Sequence, residues 1–279
     1  MGASRRVSII VGFVLAVFAV FFVMMYITKA RQVTVRTECS WRLRSIGGGV
    51  NDWHAMYGSY PRGTEVNAKL PPERRLSWQL TMLPFVEDAS LSSKINRSEP
   101  WDAIQNLQYE IYVAEYQCPA NRQQTGPSVP GITHYVGIAG VGEDAALLQV
   151  SDPRTGIFGY DRTTRQVDIR DGFSTTMMVA ETATDNGPWA AGGRATVRGL
   201  EQTGLPYLGE NGQFSSKHRY RPAVIFNRVT STNVLFADGS VRCVTDAVSP
   251  SIFEAMATIA GHEHVDVTGE LLSWRDPNP

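Results

Sequence analysis

The chemistry this chain could perform rests on a few clusters of polar side chains. His262, His264 and Asp266 alternate along the chain, so in an extended segment all three would share one face, as a metal site needs. Two imidazoles and one carboxylate leave a tetrahedral ion short of a fourth ligand, and a polar strand or loop near the C-terminus explains them as well. Ser215, Ser216, His218 and Asp238 contain the residue types of a hydrolase triad, but a triad is defined by geometry, and nothing in this spacing demands one. Gly140-Val-Gly142-Glu-Asp-Ala145 fits a loose dinucleotide-binding pattern after a strand-like run. Glu143 and Asp144 would then place two negative charges where a pyrophosphate must sit, so no cofactor is expected there. The nucleophile elbow G-x-S-x-G, the Walker phosphate loop, HExxH and C-x-x-C are all absent, which removes the common mechanisms that carry a local signature. The expectation is a protein with no catalytic residues, no cofactor and no metal beyond that weak C-terminal candidate.

Whatever positions these groups has to be built from 279 residues carrying 26 Lys+Arg against 27 Asp+Glu, with 43% hydrophobic residues. That is enough apolar surface for one large core. A formal charge of -1 does not supply the positive field that non-specific nucleic-acid binding requires, so DNA and RNA are not expected partners. Cys39, Cys118 and Cys243 are the only cysteines; at most one pair can form, and composition leaves open whether any does.

The apolar residues are concentrated at one end. Val7 to Ile27 carries no charge, and as a helix it would be roughly 30 Å long, the thickness of a bilayer's hydrocarbon core. Arg5 and Arg6 also give the basic start of a secretory signal, but the run exceeds the roughly 7 to 15 apolar residues of a signal core. An uncleaved membrane anchor over residues 1–28 is therefore the expectation. Lys29, Arg31, Arg36, Arg42 and Arg44 on the far side outnumber the two arginines on the near side. Taken literally that bias keeps the body in the cytoplasm, whereas large domains cross a membrane with little regard to charge.

Past the anchor, Val35, Cys39, Leu43, Ile46, Val50, Trp53 and Tyr57 recur in steps of four and three. This is the apolar stripe of an amphipathic stem helix over residues 29–58, stopped by Gly58 and Pro61. Gly47-Gly48-Gly49 falls within it and predicts a weak or kinked point, each glycine costing about 1 kcal/mol against alanine. Residues 59–279 change character, with Gly, Pro, Asn and Asp punctuating short β-rich runs, the pattern of an antiparallel sheet with long loops. Arg75 to Asn96 predicts one or two short helices broken near Pro84, with Trp78 as a core anchor. Asp238-Gly239 lies between two strand-like runs, a strong hairpin signal. Asp171-Gly172 suggests a second hairpin, from Val167–Ile169 into the run that ends at Glu181. Ser249 can cap a short helix running to Ile259.

These segments, in this order, resemble a bacterial family, number 1559 among the domains of unknown function, which is similar to the pseudopilin G of type II secretion. The resemblance is carried by Cys39-Ser-Trp-Arg-Leu43, Asn51 to Pro61 with its Gly-Ser-Tyr-Pro turn, Leu76-Ser-Trp78, Pro100-Trp101-Asp102, Cys118-Pro119 and Tyr135 to Gly140. It continues through Gly156-Ile-Phe158, Asp168 to Glu181 around Asp171 and Gly172, Phe214 to His218, and Asn233 to Ser240 around Asp238 and Gly239. It implies an α+β, pilin-like fold with a long N-terminal helix, first transmembrane and then stem, packed on an antiparallel β-sheet. It also implies a non-catalytic structural or assembly protein, single-pass in the inner membrane, with an extracytoplasmic body. Its partners would be the lipid bilayer and other pilin-like subunits or secretion components. Two departures stand out: the apolar span lacks the glutamate of a pilin leader, and His218 lies twenty residues before Asp238 where the family tends to place ten. The second suggests an inserted loop over Arg219–Thr232. The alternative reading is an envelope module that binds a glycan or protein partner through loops such as Ala190–Gly212 and Arg219–Thr232; a hydrolase is the least favoured.

Overall fold

The computed structural model describes residues 2–86, 89–107, 112–121, 131–204, 206–209, 211–220 and 229–261. Helix α1 runs without interruption from Gly2 to Tyr57, 56 residues or about 84 Å at 1.5 Å per residue. Every residue from Ile9 to Thr34 is exposed, including Phe13, Leu15, Phe18, Phe21 and Phe22. Cover by the body begins further along, where Cys39, Leu43, Ile46 and Val50 are fully buried and Trp53 partly so. The stripe predicted for the stem is thus the face that meets the sheet. Tyr57, at its end, stays exposed and packs on Trp53 at 4.1 Å between ring centroids. The helix closes at Gly58, whose N–H reaches His54 O at 2.8 Å with φ at +72°, a conformation that glycine adopts without strain.

The three glycines produce no break, contrary to the expected weak point, because tertiary contact replaces what propensity loses. A Cβ on Gly47 would stand 2.8 Å from Leu235 Cδ1, and one on Gly49 would meet Val86 Cγ2 at 3.2 Å, whereas Gly48 faces open space. Two of the three are therefore points of close approach to the body.

That body is a five-stranded mixed sheet in the order β3-β1-β2-β5-β6, from β1 (Tyr135–Val141), β2 (Met177–Glu181), β3 (Val197–Leu200), β5 (Val229–Phe236) and β6 (Val241–Thr245). A two-residue strand, β4 (Arg219–Tyr220), pairs with the first residues of β5. One face carries Tyr135, Ala139 and Leu235 against α1 and α2 (Trp78–Val86). The other carries Val136, Ile138, Met177, Val234 and Phe236 against α5 (Pro250–Ala257). Covered on both faces, β1 and β2 are buried at every position, which is why they read as apolar runs without alternation.

Several local expectations need correction. The sheet is not wholly antiparallel, since β1 and β3 run parallel. Strand β3 lies within the supposed exposed loop Ala190–Gly212, and all four of its residues are buried. Arg219–Thr232 likewise contains β4 and the start of β5. Val167–Ile169 is not a strand: Gln166–Asp168 forms a 3-10 turn, and β2 pairs with β1 and β5 instead. Pro84 sits inside α2, two residues before its end, and α3 (Ala89–Lys94) follows. A fourth short helix, α4, spans Ile104–Leu107. Trp78 is fully buried, donates from Nε1 to Thr196 O at 2.9 Å, and packs against Phe158. The Asp238–Gly239 turn joins β5 to β6, Gly239 having φ at +80°. Ser249 caps α5 by accepting from Ile252 N.

The two kinds of glycine separate under substitution. Gly47→Leu should destabilise the chain by about 1–3 kcal/mol through overpacking against Leu235. Gly48→Ala should stabilise it by up to about 1 kcal/mol through helix propensity alone. Thermal unfolding of the detergent-solubilised protein, read by circular dichroism, distinguishes them.

Candidate functional site

The strongest concentration of chemically able side chains forms where α1 crosses the end of the sheet. Cys39 lies one turn before Leu43 on the buried face of α1 and is joined by a disulfide to Cys118, 79 residues later, with the two Cα atoms 5.4 Å apart. Arg42, on the same helix, holds the turn before Cys118 by donating from Nη1 to Ala114 O at 2.7 Å and to Gln117 O at 2.5 Å, while it pairs with Glu38. Tyr116 anchors that turn from below, its hydroxyl donating to Gln79 O at 2.7 Å.

Two further groups converge on the sulfurs. Glu181 is the last residue of β2, placed opposite Tyr135 by the β1–β2 register. His218 immediately precedes β4. Its Nε2 lies 3.0 Å from Glu181 Oε1 and 3.3 Å from Cys118 Sγ, and both side chains are almost fully buried. The second carboxylate oxygen of Glu181 accepts from Asn233 Nδ2 at 2.8 Å, and Ser216 Oγ donates to the first at 3.4 Å. Ser216 also fixes the approach of His218, accepting from its backbone N–H at 3.1 Å. The two Sγ atoms, one oxygen of Glu181 and one ring nitrogen of His218 all lie within 4.8 Å of one another. With the disulfide reduced, two thiolates, an imidazole and a carboxylate would form a donor set suited to zinc.

A second histidine borders this cluster. His134 is fully buried, and its Nδ1 accepts the backbone N–H of Cys118 at 2.9 Å, which places the ring proton on Nε2, for which no partner is found among the described residues. Burial holds its pKa down to about 4, with Glu181 opposing and Arg42 assisting that shift. Burial, aided by the Glu181 charge, likewise raises the Tyr135 phenol well above its ordinary range. That hydroxyl remains a donor beside Cys39 O, at 3.4 Å.

The groups singled out in the sequence fare unequally. His218 and Glu181 meet. Asp238 does not join His218: it serves its own turn, accepting from Ser240 N at 2.9 Å and from Arg242 at 3.2 Å. The paper triad of Ser215, Ser216, His218 and Asp238 is thus replaced by a histidine whose carboxylate partner is Glu181, and Ser215 turns toward Thr184. Asp171 and Gly172 form a turn in which Asp171 Oδ2 accepts from Gly261 N at 2.8 Å. Glu143 and Asp144 lie exposed after β1, where Arg154 pairs with Asp144 at 2.9 Å. His262, His264 and Asp266 lie outside the described residues. Cys39, Cys118 and His134 were not assigned to a site in advance; one available signal was that two of only three cysteines stand in segments that carry the family resemblance.

A long N-terminal helix laid across a mixed sheet defines an α+β protein of pilin-like design. Residues 28–251 match the model of a family described as a protein of unknown function, DUF1559, and the chain belongs to that family. No curated protein and no solved structure matches it.

Cutting the Cys39–Cys118 link by Cys118→Ser should cost about 4.5 kcal/mol in the chain-entropy account, given the long loop it closes, measured as a fall in denaturation midpoint. For His134 the unfolded ring takes its proton near pH 6.5 while the folded one resists to about pH 4. Stability should therefore fall as pH drops through that window, by on the order of 3 kcal/mol. A His134→Asn variant should show a flatter acid limb in stability against pH, and an unchanged limb would rule out His134 as its source.

Proposed function

We propose that this protein is a membrane-anchored, pseudopilin-like structural or assembly component of the bacterial cell envelope, without catalytic activity. It spans the inner membrane once and holds its β-rich body on the extracytoplasmic side. The observation that carries the reading is the uninterrupted passage of α1 from an apolar stretch exposed at every residue from Ile9 to Ile27 to a stretch with one face buried in the body. The apolar half is long enough to cross a bilayer. Nineteen residues from Ile9 to Ile27 would span about 28 Å, close to the hydrocarbon thickness. The polar stretch from Thr28 to Glu38, with Lys29, Arg31 and Arg36, adds about 16 Å of helix before the body begins, a distance suited to headgroups.

Support for an extracytoplasmic body comes from the Cys39–Cys118 disulfide, because such bonds persist in oxidising compartments and are rare in the cytoplasm. It weighs against the positive charge on the body side of the span. The partners in this reading are the bilayer and other pilin-like subunits or secretion components, met through lateral packing of the exposed helix. With no acid between Val7 and Ile27, that packing uses apolar side chains alone, without the charge pairing of a pilin leader.

Deleting residues 1–28 should move the protein from the membrane pellet to the soluble fraction while the body keeps its β-sheet signal. A truncated chain that folds and still sediments with membranes would overturn the anchor.

A further inference from the structure

We infer that Cys39, Cys118, Glu181 and His218 form a zinc site in the reduced protein, so that the disulfide and the metal are alternative occupants of one position. This inference is independent of the anchor reading. A disulfide between α1 and the body needs no carboxylate and no imidazole beside it. Here both are present, buried to within a few per cent and directed at the sulfurs, with His218 Nε2 3.3 Å from Cys118 Sγ. Among the described residues the hydrogen bonds of the carboxylate come from Ser216 and Asn233, and its ion-pair contact is His218.

The four donors come from four separate elements, α1, the turn at Cys118, the end of β2 and the residue before β4, and they fall within 4.8 Å of one another. Around a tetrahedral zinc ion, with bonds of about 2.0–2.3 Å, neighbouring ligand atoms sit roughly 3.3–3.8 Å apart. The cluster therefore needs small side-chain adjustments, chiefly separation of the sulfurs. Asn233, at 2.8 Å from the outer oxygen of Glu181, already provides the kind of hydrogen bond that orients a metal-bound carboxylate.

The exchange balances. A small-molecule dithiol reduces the Cys39–Cys118 bond by two electrons and leaves as its own disulfide, giving two thiols. One zinc ion then binds both sulfurs as thiolates, and their two protons go to solvent. In the reverse direction, an external disulfide accepts the two electrons, the Cys39–Cys118 bond reforms, and zinc is released.

The test uses the full chain in detergent, reduced without oxygen by a phosphine, equilibrated with zinc and freed of excess metal. The expected result is one zinc per reduced chain and none per oxidised chain, with zinc-edge X-ray absorption showing two sulfurs at about 2.3 Å and two lighter ligands at about 2.0–2.2 Å. Asn233→Ala, which leaves all four ligands in place, should weaken binding by about 10–100-fold; His218→Gln should weaken it further. Because the wild-type chain is compared in two redox states, a variant that fails to fold does not decide the matter. Reduced wild-type protein without stoichiometric zinc, a shell lacking two sulfurs, or equal binding by the oxidised chain would each overturn the assignment, the last two by placing the metal elsewhere.

Discussion

A single helix in this protein presents two kinds of surface. From Ile9 to Ile27 it presents phenylalanine, leucine, valine and isoleucine on all sides, every one of them exposed. Its second half presents one stripe, which the sheet and α2 cover. A helix can do both because all its backbone hydrogen bonds are internal, so its polar groups stay satisfied whether lipid or protein surrounds it. One face of the body is arranged to hold that second half. Glycine at two positions lets the backbone come close, a disulfide and Arg42 fix the helix to the Cys118 turn, and apolar contact fills the remainder.

The loops are held by a different device. Much of the chain between strands has no regular ladder, so its carbonyl groups need other donors. Two buried arginines supply them. Arg162 reaches Ala145 O at 2.8 Å, Leu148 O at 3.0 Å, Ala139 O at 2.8 Å and Gly156 O at 2.9 Å, and also contacts Phe158 O. Arg198, from the edge strand β3, takes Arg194 O, Thr184 O and Asp185 O. Burial lowers the pKa of each to about 10, which leaves both charged at neutral pH. The forked, permanently charged guanidinium can bind several carbonyls at once in a way lysine cannot. Irregular segments are thereby tied to buried side chains in place of a ladder.

What could be read from the sequence followed periodicity. The stem stripe, the Asp238–Gly239 turn and the Ser249 cap are local patterns, each set by a few neighbouring residues, and each appears in the fold. The glycine run misled because propensity describes an isolated helix, and here packing outweighs it. Val167–Ile169 misled because a turn signal does not say what precedes the turn. Strand β3 escaped notice because its four residues include Arg198 and Gly199, neither of which marks a strand. The arginine is buried only because distant loop carbonyls accept from it, and that is tertiary information.

The cluster was illegible for a stronger reason. Its members stand at positions 39, 118, 181 and 218, on four elements, and no spacing rule connects residues brought together by the sheet order. His218 invited pairing with Asp238 because an Asp beside a His is a familiar constellation, yet Asp238 is occupied within its own turn. Glu181 wins because the β1–β2–β5 register sets it next to Asn233 and facing the histidine. The same register makes the cluster mechanically central. It joins the long N-terminal helix, the turn that Arg42 grips and the end of the sheet, so a covalent or coordinate bond among these residues ties the stem to the body at the level where protein cover of the helix begins. Loss of that bond would leave this part of the stem held by apolar packing and by polar contacts such as those of Arg42 and the Tyr135 hydroxyl, and the chemical state of two sulfur atoms thereby bears directly on how rigidly the body is held to the helix.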